Sequence, residues 1–274
     1  MHQMIVNGDK FALLRGAKRV WAVSSIHGDV TRLRALHRMI SERFEPGDRL
    51  AYLGNIMGHG PAVAEAVDEV LSFRRAVISA HGMFAADVVV LRGAQEEMWQ
   101  KLLQLQLALN PGEVFEWMIE QGVGATLEAY GGNVADGRAA SRAGSAMCAR
   151  WTAGLRDRIH GHPGHTQLMS ALRRAAVTLS SDGQPTLLFV SAGIDETRPL
   201  EAQKDSFWWP PRELGSFEGP YGEFARIVAG FDRRARGVIE TPFTVSLDAG
   251  AGRGGALIGI CIESTGAVCD TLEA

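Results

Sequence analysis

The sequence predicts one α/β domain whose strands are mainly parallel and whose middle carries a helical insertion. Three strand-then-helix units follow one another directly, and their strands are continuous apolar runs, which are typical of strands covered on both faces. The chain has 274 residues, 46% of them hydrophobic, enough for one sizeable core. The strands are RVWAVSS (19–25), RLAYLG (49–54) and DVVVLRG (87–93).

Each of these strands is followed by a segment with helical periodicity. The first, 29–44, places Val30, Leu33, Leu36, Met39 and Ile40 on one face. The second, 62–80, follows Pro61, a residue suited to the first turn of a helix. The third covers 96–109. The units therefore predict a parallel sheet with helices packed on it.

The pattern changes between residues 110 and 183. EVFEWMIEQG and the stretches around 138–156 and 165–180 indicate helices separated by glycine-rich turns, and they predict a helical cap. Strand patterns return at 186–193, 226–230, 244–250 and 256–263, and 195–225 is predicted to be a long irregular connection. We therefore expect one domain, 1–274, with a cap at about 110–183.

Composition indicates which classes of partner and which cellular compartment to expect. A formal net charge of −3, mixed in sign, argues against binding of nucleic acid or of a membrane surface by electrostatics. No apolar run is long enough to span a bilayer, and MHQMIVNGDK lacks the apolar core of a signal peptide. Cys148, Cys261 and Cys269 show no paired spacing, so a cytoplasmic location is expected.

Five of the predicted strands end in a polar turn that contains or adjoins glycine. In open α/β sheets, ligands bind outside the carboxyl ends of the strands, so these turns are expected to converge on one pocket. They are SSIHG (24–28), GNIMGHGP (54–61), RGAQEE (92–97), SAGID (191–195) and AGFD (229–232).

This ordered set of turns resembles the calcineurin-like metallophosphoesterases, in particular the branch of serine/threonine protein phosphatases and diadenosine tetraphosphatases. That branch carries GDxHG, GDxxDRGP, RGNHE, HAG and GHT on successive strand ends. The likeness extends through GVGATLEAYGG (122–132), RPLEAQ (198–203) and LDAGAGRGGAL (247–257), and so covers nearly the whole chain. It implies a two-sheet α/β sandwich with a dinuclear metal site, at which a bridging water attacks phosphorus.

The departures from the family pattern fall on the metal ligands. Ser25 replaces the first metal-binding Asp, Asn55 replaces the bridging Asp, and only His27 matches a ligand. The other replacements that the resemblance implies are Ala94 for the ligating Asn, Ser191 and Phe231 for two later His ligands, Gln95 for the acid/base His, Gly58 for its Asp partner, and His59 for a phosphate-binding Arg.

The replaced set is a poor donor set for hard divalent ions. Such ions need oxygen or imidazole donors with negative charge, and a hydroxyl, an amide, a methyl and a phenyl ring do not supply them. We therefore expect no cofactor and no catalytic residue at these positions. His27, His59 and Arg92 are candidate ligand-binding residues, although Arg92 is equally expected to pair with Glu96 or Glu97.

The leading hypothesis is a pseudo-phosphatase that binds a partner protein or a small anionic ligand in the vestigial pocket. The alternative is an active phosphoesterase with a relocated or reduced site for Mn, Fe or Zn. It requires at least two of Asp29, Glu96, Asp195 and Asp232 to face the pocket of His27. The other interpretation of these carboxylates is that they cap helices, as Asp and Glu at such turns commonly do. A third hypothesis is a structural role with homo-oligomerisation, in which side chains such as Phe231 fill the pocket.

Three further segments have alternative interpretations. HGHPGH (160–165) is predicted to be a solvated loop rather than a transition-metal site, and AGAGRGG (249–255) a hairpin or sheet turn rather than a nucleotide loop. FWWPP (207–211) is either packed core or a partner-binding edge. Arg212 is a further candidate for phosphate binding.

Overall fold

A computed structural model describes residues 10–274. Eleven strands and eight α-helices lie in that range. The first half contains β1 (Phe11–Arg15), β2 (Arg19–Val23), α1 (Val30–Ser41), β3 (Asp48–Tyr52), α2 (Val63–Ile78), β4 (Val88–Val90), α3 (Ala94–Leu102), α4 (Pro111–Glu120), α5 (Val123–Ala129) and α6 (Val134–Arg142). The second half contains α7 (Ser145–His160), α8 (His165–Ala171), β5 (Ala175–Leu179), β6 (Pro185–Val190), β7 (Arg226–Ala229), β8 (Ile239–Glu240), β9 (Thr244–Ser246), β10 (Ile258–Glu263) and β11 (Val268–Glu273).

The strands form two mixed sheets, and the predicted α/β sandwich is confirmed. One sheet has the order β1-β5-β6-β7-β9-β8 and the other β11-β10-β2-β3-β4. The three strands of the predicted strand–helix units, β2, β3 and β4, pair in parallel. Short turns join the antiparallel hairpins β5–β6 and β10–β11, and β10 also pairs antiparallel with β2, which lies far away in the chain.

Alternation along the strands divides the core into layers. Val20 and Ala22 of β2 join a buried cluster that also holds Leu187 and Phe189 of the other sheet, so these residues face the interior of the sandwich. Trp21 and Val23 face the opposite way, towards the helices. The outer face of the six-stranded sheet packs under the irregular connection that follows β6, through a cluster that includes Phe207 and Trp208.

The structure corrects several sequence predictions. The helix predicted over 165–180 ends at Ala171, and β5 begins at Ala175, so the helical cap ends earlier than residue 183. Ala175 and Ala176 favoured a helix in the sequence, yet β5 is a central strand in which small residues fit between covered faces. The strands β1, β8 and β11 were not predicted.

Two local predictions also need correction. Pro61 precedes the N-cap of α2, Ala62, instead of lying in the first turn. AGAGRGG is a turn with bridges between Ala249 and Ala256, but it connects β9 of one sheet with β10 of the other and is not a hairpin within one sheet.

The longest described helices, α2 and α7, have 16 residues each. Within residues 10–274, no helix has both the length and the apolar character required to cross a membrane.

Candidate functional site

Backbone hydrogen bonds connect the turns at the strand ends into one site. The amides of Ile26 and His27 donate to the Asn55 carbonyl at 3.0 and 2.8 Å, and the Ser25 amide donates to the Gly230 carbonyl at 2.9 Å. The amides of Gly230 and Phe231 both donate to the Ser191 carbonyl at 2.9 Å. The two sheets therefore bring the first, second, fourth and fifth turns together. The third turn joins them at the start of α3.

The backbone at this site is strained. His27, Asn55 and His59 have φ values of 50°, 53° and 51°, in the left-handed region that non-glycine residues rarely adopt. A Cβ at Gly60 would lie 2.3 Å from the His27 carbonyl oxygen, so only glycine fits there. Such conformations persist where the surrounding structure holds them, and they cluster at functional sites.

Ser25 and Asn55 are hydrogen-bonded to each other where the resemblance implies two metal-binding carboxylates. Both are at most 1% exposed. The Asn55 Nδ2 donates to Ser25 Oγ at 3.1 Å, and Asn55 Oδ1 accepts from the amide of Gln95 at 3.0 Å. The two side chains thus use their polar groups on one another and on the start of α3, in a neutral buried network.

His27 is buried, and a hydrogen bond to the backbone fixes its ring. Its Nδ1 lies 3.2 Å from the Met57 carbonyl, which can only accept, so Nδ1 carries the proton and Nε2 is an acceptor. Within the described chain, this buried Nε2 has no hydrogen-bond partner. Burial, followed by the nearby His59 and Arg253, lowers the pKa of His27 to about 3. His27 is therefore neutral at pH 7.

The outer wall of the site consists of His59, Phe231 and Arg253. The rings of His59 and Phe231 lie edge-on to His27, with centroids 4.9 and 6.2 Å away. The Arg253 guanidinium lies 6.0 Å from the Phe231 ring centroid and 3.6 Å from Asp248. Burial and Arg253 lower the pKa of His59. Arg253 is the permanent cation of this wall, on a side chain that is one-third exposed.

The remaining replaced positions pack around this cluster. Ala94 begins α3, and the buried Ser191 Oγ has no hydrogen-bond partner in the described part of the chain. The Gln95 Nε2 donates to the Gln121 carbonyl of the cap at 2.7 Å. A Cβ at Gly58 would lie 2.4 Å from the Gln95 side chain, so the two replacements fit each other sterically.

Arg92 does not contact the His27 cluster. Its guanidinium donates to Glu97 at 3.1 Å and to Gln100 at 2.5 Å, on the side of α3 that faces α7 and α8. Glu97 is one of the two ion-pair partners that the sequence suggested for Arg92. Arg92 lines a separate cavity, together with residues of α3, α7 and α8.

The four carboxylates considered for a relocated metal site have local partners. Asp29 caps α1 and pairs with Arg32, and Asp195 bonds Thr197 and pairs with Arg198. Asp232 accepts from backbone amides and pairs with Arg236. Glu96 accepts from the amides of Asn55, Met57 and Gly93. These contacts occupy the oxygens that a relocated site would need.

A dinuclear metal centre does not fit the residues present. His27 offers one oriented nitrogen, but the positions of the implied ligands around it hold a hydroxyl, an amide and a phenyl ring, and none holds a carboxylate to offset the charge of two ions. In residues 10–274, no three His, Cys, Asp or Glu side chains are grouped so that they could hold a metal ion.

One of the three histidines of HGHPGH (160–165) has a structural role. His165 is fully buried, where it bonds the Tyr130 hydroxyl at 2.8 Å and Asp68 at 3.0 Å. In FWWPP, Trp208 is buried and donates to the Arg92 carbonyl, whereas Trp209 is 39% exposed and lies beside Trp117. Arg212 pairs with Glu196 near the surface.

Two contributors to the site were not predicted. Arg253 lies in the segment interpreted only as a turn, and its sole signal was a basic residue in a glycine-rich stretch between strands. Thr126 of the cap accepts the Gly58 amide at 3.0 Å and so fixes the turn after β3. A hydrogen bond between segments 68 residues apart leaves no local signal in the sequence.

Comparison with known proteins shows similarity to solved structures. Neither a protein-family model nor a curated sequence matches the chain. A structure reported as that of a candidate diadenosine tetraphosphatase is 18% identical, with a TM-score of 0.59 over 97% of this chain and 98% of that one. The cold-active protein-tyrosine phosphatase of a psychrophilic Shewanella species is 14% identical, with a TM-score of 0.52 over 97% and 85%.

A protein serine/threonine phosphatase from Saccharomyces cerevisiae is 12% identical, with a TM-score of 0.51 over 96% of this chain and 84% of that one. At these identities the comparisons show the fold. The chain shares the two-sheet α/β sandwich of these solved structures, as the resemblance of the strand-end motifs implied. A shared fold does not define an activity, so the chemistry has to be argued from the residues of the site.

Burial of neutral His27 predicts a pH-dependent stability. In the unfolded chain, the imidazole binds a proton below a pKa of about 6.5, but in the folded chain it does so only near 3. The stabilising contribution of neutral His27 is therefore fully present above about pH 6.5. As the pH falls from there towards 3, the free energy of unfolding decreases by up to about 1.4 kcal/mol per pH unit. Urea unfolding between pH 7 and 4.5 should show this slope.

The variant His27→Asn separates this contribution, since asparagine tolerates the positive φ and does not titrate. Burial also lowers the pKa of His37, to about 4, so part of the slope should survive. His81→Asn, at an exposed position, is the control and should leave the slope unchanged. An equal slope in wild type and His27→Asn would contradict the assignment of a neutral, buried His27.

Proposed function

We propose that this protein is a pseudo-phosphatase, which uses a metallophosphoesterase scaffold to bind an anionic group without dinuclear phosphoester hydrolysis. One observation carries the proposal: the positions of the two implied metal-binding carboxylates hold Ser25 and Asn55, which are buried and bonded to each other. A scaffold that retained hydrolysis would need carboxylate charge at this point to hold two ions and lower the pKa of a bridging water.

The same cluster supports binding of an anion. Arg253 supplies a partly exposed positive charge, and neutral His59 adds a ring nitrogen at the outer wall. Asp248 neutralises Arg253 only in part, because the two are 3.6 Å apart and a guanidinium has several donors. The anion is either a small molecule or an acidic or phosphorylated side chain of a partner protein, both of which present the same oxygen donors to an arginine.

Two measurements on the purified protein test the proposal. Elemental analysis after expression without chelators should give far less than one equivalent of Mn, Fe or Zn, and para-nitrophenyl phosphate should not be turned over. Inorganic phosphate, added as a probe, should shift the NMR signals of His27 and His59, and Arg253→Gln should weaken this binding about tenfold.

Arg38→Gln, at an exposed position of α1, is the control and should bind phosphate as the wild type does. Two equivalents of metal together with turnover would overturn the proposal. Phosphate shifts that are the same in wild type and Arg253→Gln would remove the anion site from it.

A further inference from the structure

A second cavity lies on the far side of α3 from His27, between α3, α7 and α8. It encloses about 380 Å³, within the range of pockets that hold small organic ligands. Its wall is apolar at Leu103, Ile159, Met169 and Leu172. We call it the α3–α7–α8 cavity. It shares none of the residues His27, His59, Phe231 or Arg253.

Two buried polar groups that line this cavity have no partner. Trp99 is 1% exposed, and its Nε1–H has no acceptor in the part of the chain that the structure describes. The buried Thr166 Oγ1 is likewise without a partner there. A buried donor without an acceptor costs about 1–3 kcal/mol, so two such groups in one cavity indicate a place for ligand atoms.

The charged groups around the cavity select the sign of the ligand. Arg92 and Arg156 both line it, and His160 lies at its edge. Arg156 uses part of its guanidinium on the Leu103 carbonyl, and Arg92 uses one nitrogen on Glu97 and Gln100. The acid that lines the cavity, Glu96, is turned to three backbone amides. The free donors of the wall therefore favour an anion.

We propose that the α3–α7–α8 cavity binds a small organic anion with an apolar body. Its charged group bonds the guanidinium groups of Arg92 and Arg156, the indole N–H of Trp99 and the hydroxyl of Thr166 donate to it, and its body packs on the aliphatic wall. This site does not rest on the pseudo-phosphatase proposal, since it uses different residues on a different face of α3.

The test follows the indole N–H signal of Trp99 by NMR while phenylphosphonate, phenylacetate or phenethylamine is added. Phenylphosphonate or phenylacetate should shift this signal saturably. A comparison of the two shows whether the cavity prefers a phosphonate or a carboxylate. Phenethylamine, with the same ring and the opposite charge, should not. No shift at Trp99 with either anion, or an equal shift with the amine, would overturn the proposal.

Two substitutions locate the ligand. Arg156→Gln should weaken binding about tenfold, because it removes a charged hydrogen bond, whereas Arg150→Gln, exposed on the same helix, should not. Thr166→Val replaces the unpartnered hydroxyl by a methyl group, so it should raise the Tm of the free protein and weaken binding. Thr166→Val also tests the site if Arg156→Gln fails to fold. Unchanged affinity in Thr166→Val would remove the hydroxyl from the site and overturn the proposed ligand geometry.

Discussion

Replacement of Glu96 by alanine is expected to cost about 4–6 kcal/mol of unfolding free energy, enough to leave most proteins barely folded. Glu96 is 2% exposed and accepts from the amides of Asn55 at 2.8 Å, Met57 at 3.1 Å and Gly93 at 2.8 Å. Glu96→Ala leaves these three donors buried without an acceptor and opens a cavity beside them.

The neighbouring glutamate provides a matched control. Glu97 is the next residue of α3, its side chain is 13% exposed, and it pairs with Arg92 and Lys101. Glu97→Ala should cost about 1–2 kcal/mol, because Arg92 and Lys101, at 21% and 48% exposure, stay in contact with water and no buried amide loses its acceptor. Urea unfolding followed by circular dichroism measures both variants. A cost for Glu96→Ala within about 1 kcal/mol of that for Glu97→Ala would contradict the role of Glu96 as the acceptor that holds the turn after β3.

This role of Glu96 shows where sequence reasoning ended. The sequence left three roles open for this carboxylate near a strand end: an ion-pair partner of Arg92, a relocated metal ligand or a cap of the following helix. Its bond to the Gly93 amide is such a cap, whereas its bonds to Asn55 and Met57 were not predicted. Its three amide donors come from the turn after β3 and from the start of α3, and two of them lie about 40 residues away in the chain. A bond of that range depends on how β3 and β4 pair, which periodicity alone does not define.

The order of the strand-end turns could be predicted, because it depends on glycines that backbone geometry requires. At Gly54 and Gly93 an added Cβ would meet backbone or the Asn55 side chain within 2.6 Å, so these positions keep their residue type whatever chemistry is lost. Side-chain direction could not be predicted in the same way. Arg92 follows β4 as the motif requires, yet it turns to Glu97 and the α3–α7–α8 cavity, because a long flexible side chain follows its partners.

A single reversion of the first ligand position, Ser25→Asp, is expected to destabilise the protein without giving it metal or activity. Ser25 is fully buried, and its oxygen accepts one amide hydrogen bond, from Asn55. A carboxylate in this place would lose its hydration and gain no cation, so the expected cost is about 3 kcal/mol or more at pH 7. Ser25→Asn is the control, with nearly the same shape and no charge.

The pH dependence distinguishes buried charge from poor packing. Burial raises the pKa of the introduced carboxyl above its unfolded value of about 3.9, so the unfolded chain loses its proton first as pH rises. The stability of Ser25→Asp relative to Ser25→Asn should therefore fall as pH increases from about 4 to 7, while that of Ser25→Asn changes with pH as in the wild type. A constant difference between the two variants over this range would indicate a steric cause.

Restoration of the whole set tests whether the scaffold still has the geometry of a metal site. The combined variant Ser25→Asp, Asn55→Asp, Ala94→Asn, Ser191→His and Phe231→His adds two carboxylates and two imidazoles around His27, which already directs Nε2 inwards through its bond to Met57. It should bind Mn²⁺, with a Tm that rises when the metal is added, whereas Ser25→Asp alone should show no such rise. Turnover should stay low, because Gln95 and Gly58 lack the acid/base pair that the family resemblance implies. Metal binding and hydrolysis by Ser25→Asp alone would contradict the view that the losses at the five positions act together.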